Sequence, residues 1–141
     1  MKRVIASGTL AIAFVSLLVL GLGSHVQAGE CSNASSKGSY GFSCEGTIVG
    51  AGPLAVISVY SADGNGNSSG TETVSVNGTI IPGLPFTGTY TLNANCTGSL
   101  VTTTPDGSVT HHDLVIDDNK KELRILVTEP GRVIACLFRK Q

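Results

Sequence analysis

The chain has no tryptophan, one methionine at its very start, and seven aromatic side chains in 141 residues. A core so poor in large rings must close around aliphatic side chains or be stapled. No C-x-x-C pair is present and the four cysteines lie far apart, which speaks against a structural metal site. Charge is scarce, at 13% of residues. Beyond the first 28 residues, 7 basic side chains face 10 acidic ones, so the basic face of a nucleic-acid binder is missing. Six of those bases (Lys120, Lys121, Arg124, Arg132, Arg139, Lys140) fall in the last 22 residues, where a solvated rim is the simplest account. Helical periodicity is almost absent after residue 30.

Residues 1–28 stand apart. "MKR" is a basic start, "VIASGTLAIAFVSLLVLGLG" is an apolar run, and "SHVQA" places Val26 and Ala28 at the −3 and −1 positions of a cleavage site. That is the layout of a secretory signal peptide cut before Gly29. An uncleaved anchor would fit the length of the run, since about 20 apolar residues span a bilayer, but not its small residues before Gly29. A lipoprotein signal would lipidate Cys31, and Glu30 is a poor fit in front of it. The expected product has no membrane span after cleavage. It is one domain of 113 residues, with an N-terminal segment at 29–37 and a β-domain at 38–141.

All four cysteines lie in the exported part, and an even count in an oxidising compartment predicts two disulfides. The rest is rich in Gly, Thr, Ser, Val and Asn, with short alternating runs between turn residues. This predicts an all-β fold, a closed antiparallel up-and-down barrel of about eight strands. Asp63-Gly64, Asn77-Gly78 and Pro105-Asp106-Gly107 mark tight turns. Pro82 and Pro85 predict a short, bulged or edge strand at "TIIPG", separate from the next at "FTGTYTLNA". In a closed meander the first and last strands are neighbours. Of three pairings, that topology favours Cys44–Cys136 across the seam, leaving Cys31 for Cys96.

Two stretches resemble each other, "GSYGFSCEGT" from Gly38 and "GTYTLNANCTGS" from Gly88. In each, the tyrosine and the apolar residue two on (Tyr40/Phe42, Tyr90/Leu92) share a strand face. The glycine ahead of them suits a tight bend, and Gly46 and Gly98 suit a bulge or corner. One pair of matches predicts a structural device used twice, not a repeated site.

"CSNASSKGSYGFSCEGT", "DGNGN", "GTYTLNANCTGSL" and "EPGRVIACLFRK" together resemble a group of small secreted bacterial proteins of unknown function, over nearly the whole exported chain. The architecture this implies is similar to the eight-stranded barrels of allene oxide cyclases, dirigent proteins and lipocalins. Fold alone does not carry function, and no catalytic residue of those enzymes has a matching position here. The implied location is secreted or periplasmic. Asn33, Asn67, Asn77 and Asn95 open glycosylation sequons that a bacterial source leaves unused.

Candidate sites are few. Asp63, Asn65 and Asn67 have the spacing of a calcium loop, but Ser68 replaces its glycine and Val74 its bidentate glutamate, so a turn is expected and no metal. In "HHD", His111 and Asp113 share a strand face and offer an acid–base pair. With Glu45 they are the weak catalytic candidates. Glu45, Glu72 and Arg124 are charges within strands, expected to face outward, since an inward one would need a partner or ligand. Tyr40, Phe42, Tyr60, Phe86, Tyr90 and Phe138 are the candidate lining of a ligand pocket, or its plug. The last strand is apolar on both faces, so the N-terminal segment or a second subunit is expected to cover it. The composition suits a barrel that binds a small apolar or amphipathic molecule, with no cofactor. An oligomeric structural protein and a barrel cyclase or isomerase are the alternatives.

Overall fold

The computed structural model describes residues 30–141. The expected signal peptide lies outside the described residues. Eight strands run β1 Gly38–Ile48, β2 Gly52–Ala62, β3 Asn67–Val76, β4 Thr79–Leu92, β5 Thr97–Thr103, β6 Val109–Asp117, β7 Glu122–Val127 and β8 Arg132–Lys140. Each pairs antiparallel with the next, and β8 returns to β1 from Tyr40↔Lys140 to Ile48↔Arg132, so the barrel is closed. Closure leaves no strand edge unpaired. The expected all-β up-and-down barrel is the observed fold.

Alternation drives the closure. In β1, Tyr40, Phe42 and Cys44 are buried while Ser39, Ser43 and Glu45 are exposed. All six aromatic side chains of the described residues point inward. Phe42 and Phe138, opposite each other across the β1–β8 seam, stack with centroids 4.1 Å apart. Tyr60 meets Phe138 edge-on at 5.1 Å, and Phe86 lies 6.2 Å from Phe42. Each such pair adds about 0.5–1.5 kcal/mol beyond area burial. Phe42, Tyr60, Phe86 and Phe138 pack on one another across the waist of a barrel that aliphatic residues line elsewhere.

One expectation about β4 is corrected. Pro82 and Pro85 do not split it; the two short strands expected there are one strand of 14 residues. Glu72 pairs with Leu84 and Val74 with Ile81, so Pro82 and Gly83 together oppose Thr73 in a β-bulge. A bulge leaves its extra residue outside the ladder, where the missing N–H of proline costs nothing.

Because strand direction alternates, four loops gather at one end and three at the other. Residues 49–51, 77–78, 104–108 and 128–131 form one end, and 63–66, 93–96 and 118–121 the other, with both chain termini. The second end is closed by a 3-10 turn, Asn33–Ser36. The Tyr40 hydroxyl donates to the Ser36 carbonyl at 2.9 Å, and that of Tyr90 to the Asn33 carbonyl at 3.2 Å. The Asn33 side chain accepts from the Leu92 N–H at 2.8 Å. The disulfide Cys31–Cys96 ties this plug down, and Cys44–Cys136 crosses the seam between β1 and β8. Both are the pairings expected from a closed meander.

The N-terminal segment therefore covers the barrel end and not the outer face of β8. Ile134, Cys136 and Phe138 are buried inside, while Val133 and Ala135 are exposed and Leu137 is half-buried. Among the described residues no helix is long and apolar enough to cross a membrane.

Candidate functional site

The end opposite the plug is open. Between it and the aromatic waist the barrel keeps a cavity of about 160 Å³. Phe42, Tyr60, Phe86 and Phe138 form its floor, and Val56, Val74, Leu100, Ile125 and Ile134 are among its apolar walls. Nearer the mouth the lining turns polar, with Glu72, Thr102, Thr104, Ser108, Thr110, His112 and Arg132. An apolar cavity of ~150 Å³ accommodates benzene, so this one suits a body about one ring in size.

Three ionisable side chains enter this space, each half-buried. Glu72 stands on β3 beside the Pro82–Gly83 bulge, the kind of local kink that re-aims a side chain at a barrel rim. Burial pushes its carboxyl pKa up, and it has no ion-pair or hydrogen-bond partner among the described residues. His112, on β6, places Nδ1 3.1 Å from the Leu100 carbonyl oxygen. A carbonyl only accepts, so Nδ1 carries the proton and Nε2 of the neutral ring is left with a free lone pair. Burial lowers the pKa of His112, against the opposing pull of the Leu100 carbonyl. Arg132, at the start of β8, donates from Nη1 to Oγ1 of Thr110 at 3.0 Å. It too has no carboxylate partner among the described residues. A carboxylate and a guanidinium thus line one small cavity without pairing with each other. That leaves polar capacity unmet at the mouth, over an apolar floor.

The candidates singled out from sequence are placed differently. Tyr60, Phe42, Phe86 and Phe138 line the cavity, but as its floor, packed on one another. Tyr40 and Tyr90 are spent on latching the plug. His111 and Asp113 do share a face, and it is the outer one. His111 is 61% exposed and pairs with Glu129 Oε1 at 2.8 Å, while Asp113 stands in solvent. Glu45 is also exposed, and it and Asp113 line the same open hollow on the outer wall. His111 is not among the residues lining that hollow, so the three catalytic candidates do not converge on one site. Asp63 accepts the backbone N–H groups of Asn65 and Asn67 at 2.6 and 3.0 Å and the Asn67 side chain at 2.8 Å, the hydrogen bonding of a self-contained turn. The Asn67 side chain, then these backbone groups, lower its pKa. Of the three strand charges expected to face outward, Glu45 and Arg124 do, and Glu72 does not.

The open hollow on the outer wall is broader than the cavity, lies across β4–β8 and β1, and takes in Glu45, Asp113, Arg124 and Arg139. Its cations are already engaged: Arg124 meets Asp117 at 2.9 Å and Glu122 at 3.1 Å, and Arg139 meets Glu122 at 3.5 Å. In the interior cavity, by contrast, neither the guanidinium of Arg132 nor the carboxylate of Glu72 has an ion-pair partner among the described residues.

No family model and no curated protein matches the chain. Among solved structures, a de novo designed fluorescence-activating beta barrel is similar in fold. Its TM-score is 0.55 at 11% identity, over 74% of this chain and 93% of the designed one. At that identity the likeness concerns the barrel fold alone.

Proposed function

We propose that this is an exported bacterial barrel that binds a small, apolar-bodied ligand through its open end. The observation that carries the reading is the cavity, with an aromatic floor and, at the mouth, a carboxylate and a guanidinium without ion-pair partners among the described residues. Barrels of eight strands have interiors that side chains just fill or that hold one small ligand, and here the lower half is filled and the upper half is not. The similar designed barrel is named for fluorescence activation, which supports the reading that such a scaffold can house a small molecule. Two disulfides support a secreted or periplasmic location, where such bonds persist.

The test is a titration with phenol followed by amide chemical shifts. Shifts should concentrate on residues around the mouth and be lost in Thr102→Phe, whose ring would occupy the cavity. Shifts confined to the outer wall, or none at all, would refute the reading. Native mass spectrometry of protein purified from its own source would identify a retained ligand.

A second reading, a homo-oligomer, is favoured by one observation. Ile57, Val59, Leu126 and Val133 are more than half exposed on the outer wall, at 68, 54, 52 and 69%. Light scattering should then show Val133→Lys shifting the mass toward the monomer. A wild-type monomer at high concentration would dismiss it.

A further inference from the structure

The mouth also specifies the chemistry of the ligand, on the premise that the cavity binds one. Around the barrel, β3 lies three strands from β6 and, through β2 and β1, three strands from β8. Glu72 therefore faces Thr110, His112 and Arg132 across the cavity rather than beside them. Among the described residues no ion pair joins Glu72 to Arg132, although both line the same 160 Å³. Opposite charges that share so small a space without touching leave room between them for a third group. We propose that the ligand is a monocarboxylic acid of about single-ring size that bears a hydrogen-bond donor, a hydroxyl or amine, away from its carboxylate.

Each part of such an acid meets a group now unsatisfied. The carboxylate takes the free N–H groups of Arg132, whose orientation is set by its bond to Thr110 at 3.0 Å. A guanidinium fork matches a carboxylate in a bidentate way. The donor goes to Glu72, which can accept and has nothing to accept from. His112 contributes Nε2 as a second acceptor, because Nδ1 is held by Leu100. The body rests on Phe42, Phe86 and Phe138. A phosphate monoester fits less well. The cavity holds one cation and one anion with a neutral imidazole, so a dianion would leave excess negative charge facing Glu72, whereas a monoanion with a donor satisfies both sides.

Three probes of similar size separate the parts: 4-hydroxybenzoate, 4-hydroxybenzamide and benzoate. The full chain from Gly29, both disulfides formed, is titrated by calorimetry. 4-Hydroxybenzoate should bind at least tenfold more tightly than either of the others. Arg132→Met should bring it down to the level of the amide and leave the amide unchanged. Glu72→Met should bring it down to the level of benzoate. Thermal unfolding of each variant checks that the barrel is intact. Equal binding of the acid and the amide to the wild type would overturn the assignment and leave the ligand-binding reading standing. The same holds for an acid preference that survives in folded Arg132→Met. Binding of none of the three would overturn both.

Discussion

Glu72, a member of the proposed site, is held at the expense of the fold. Burial raises its pKa, so folding favours the protonated carboxyl. That contribution is complete below the ordinary carboxylate pKa and is lost as pH rises through the raised folded value. At neutral pH the half-buried, ionised side chain weakens the barrel. Glu72→Gln should therefore be more stable than wild type at pH 7, by on the order of 0.5–1 kcal/mol once solvent screening is allowed for. The gap should close near pH 3.5. Thermal unfolding at the two pH values tests this, and a destabilised variant at pH 7 would contradict it. Tyrosines provide a second test, at the alkaline end. Burial pushes Tyr40 and Tyr60 up to about 12. Their neutral forms stabilise the fold below pH ~10, and that support is lost between about 10 and 12. Absorbance at 295 nm should show two phenols ionising late, in step with alkaline unfolding. Glu72 was expected to face outward, although strand parity carried the opposite signal. It shares strand parity with Val74 and Val76, which face the core side, and the same test separates Glu45 from Cys44. His112 was harder to see, because "VTHHDLVI" has apolar residues on both parities, Val109 and Val115 on one and Leu114 and Ile116 on the other. Arg132 shares parity with Ile134, Cys136 and Phe138, but its position at the first residue of a strand gave no reason to look.

At the scale of elements, the two similar stretches are equivalent only in part. Tyr40 and Tyr90 do the same work: both phenols donate to carbonyls of the Asn33–Ser36 turn. The cysteines do not, since Cys44 is mid-strand while Cys96 sits in a turn at φ 66°. Gly46 and Gly98 lie at opposite ends of the barrel yet meet the same constraint. A Cβ on Gly46 would be driven into the Val133 carbonyl, and one on Gly98 into the Thr91 carbonyl. Neither position breaks the ladder register, so each is a corner of close backbone approach and not the alternative bulge. Backbone atoms in a closed ladder cannot step aside as a flexible side chain can. Gly98→Ala should therefore cost on the order of 3 kcal/mol or more, whereas Gly107→Ala, with open space around its Cβ, pays only for its positive φ of 84°, roughly 1 kcal/mol. Chemical denaturation of the two variants would show the order, and equal losses would discredit the close-approach account. Turn residues and alternation made seven of the eight strands legible. At β4 the prolines signalled the bulge but not the strand's continuity, because a bulge lets Pro82 sit inside a strand without forfeiting a ladder bond.

The whole molecule is divided along its axis: one end is latched and the other open, with an aromatic floor between them. The two disulfides act on different parts of this arrangement. Cys44–Cys136 joins strands that are 92 residues apart in sequence and already paired, whereas Cys31–Cys96, at a separation of 65, fixes a segment that is otherwise held by a few hydrogen bonds. Loop-closure entropy alone assigns both about 4 kcal/mol, so global stability will barely distinguish them. Location will. Removing Cys31 and Cys96 as alanines should release the Asn33–Ser36 turn and raise hydrogen exchange at Leu92, whose N–H is held by the Asn33 side chain at 2.8 Å. The mouth lies beyond the ring stack of Phe42, Phe138, Tyr60 and Phe86, so ligand binding should stay within about twofold of wild type. Removing Cys44 and Cys136 acts on the seam itself, directly beside the cavity wall formed by Phe42, Ile134 and Phe138. Exchange should rise along β1 and β8, and binding should weaken. If the Cys31/Cys96 variant lost binding as severely as the seam variant, the two ends would be coupled and the rings would be transmitting strain, not insulating the mouth from the plug.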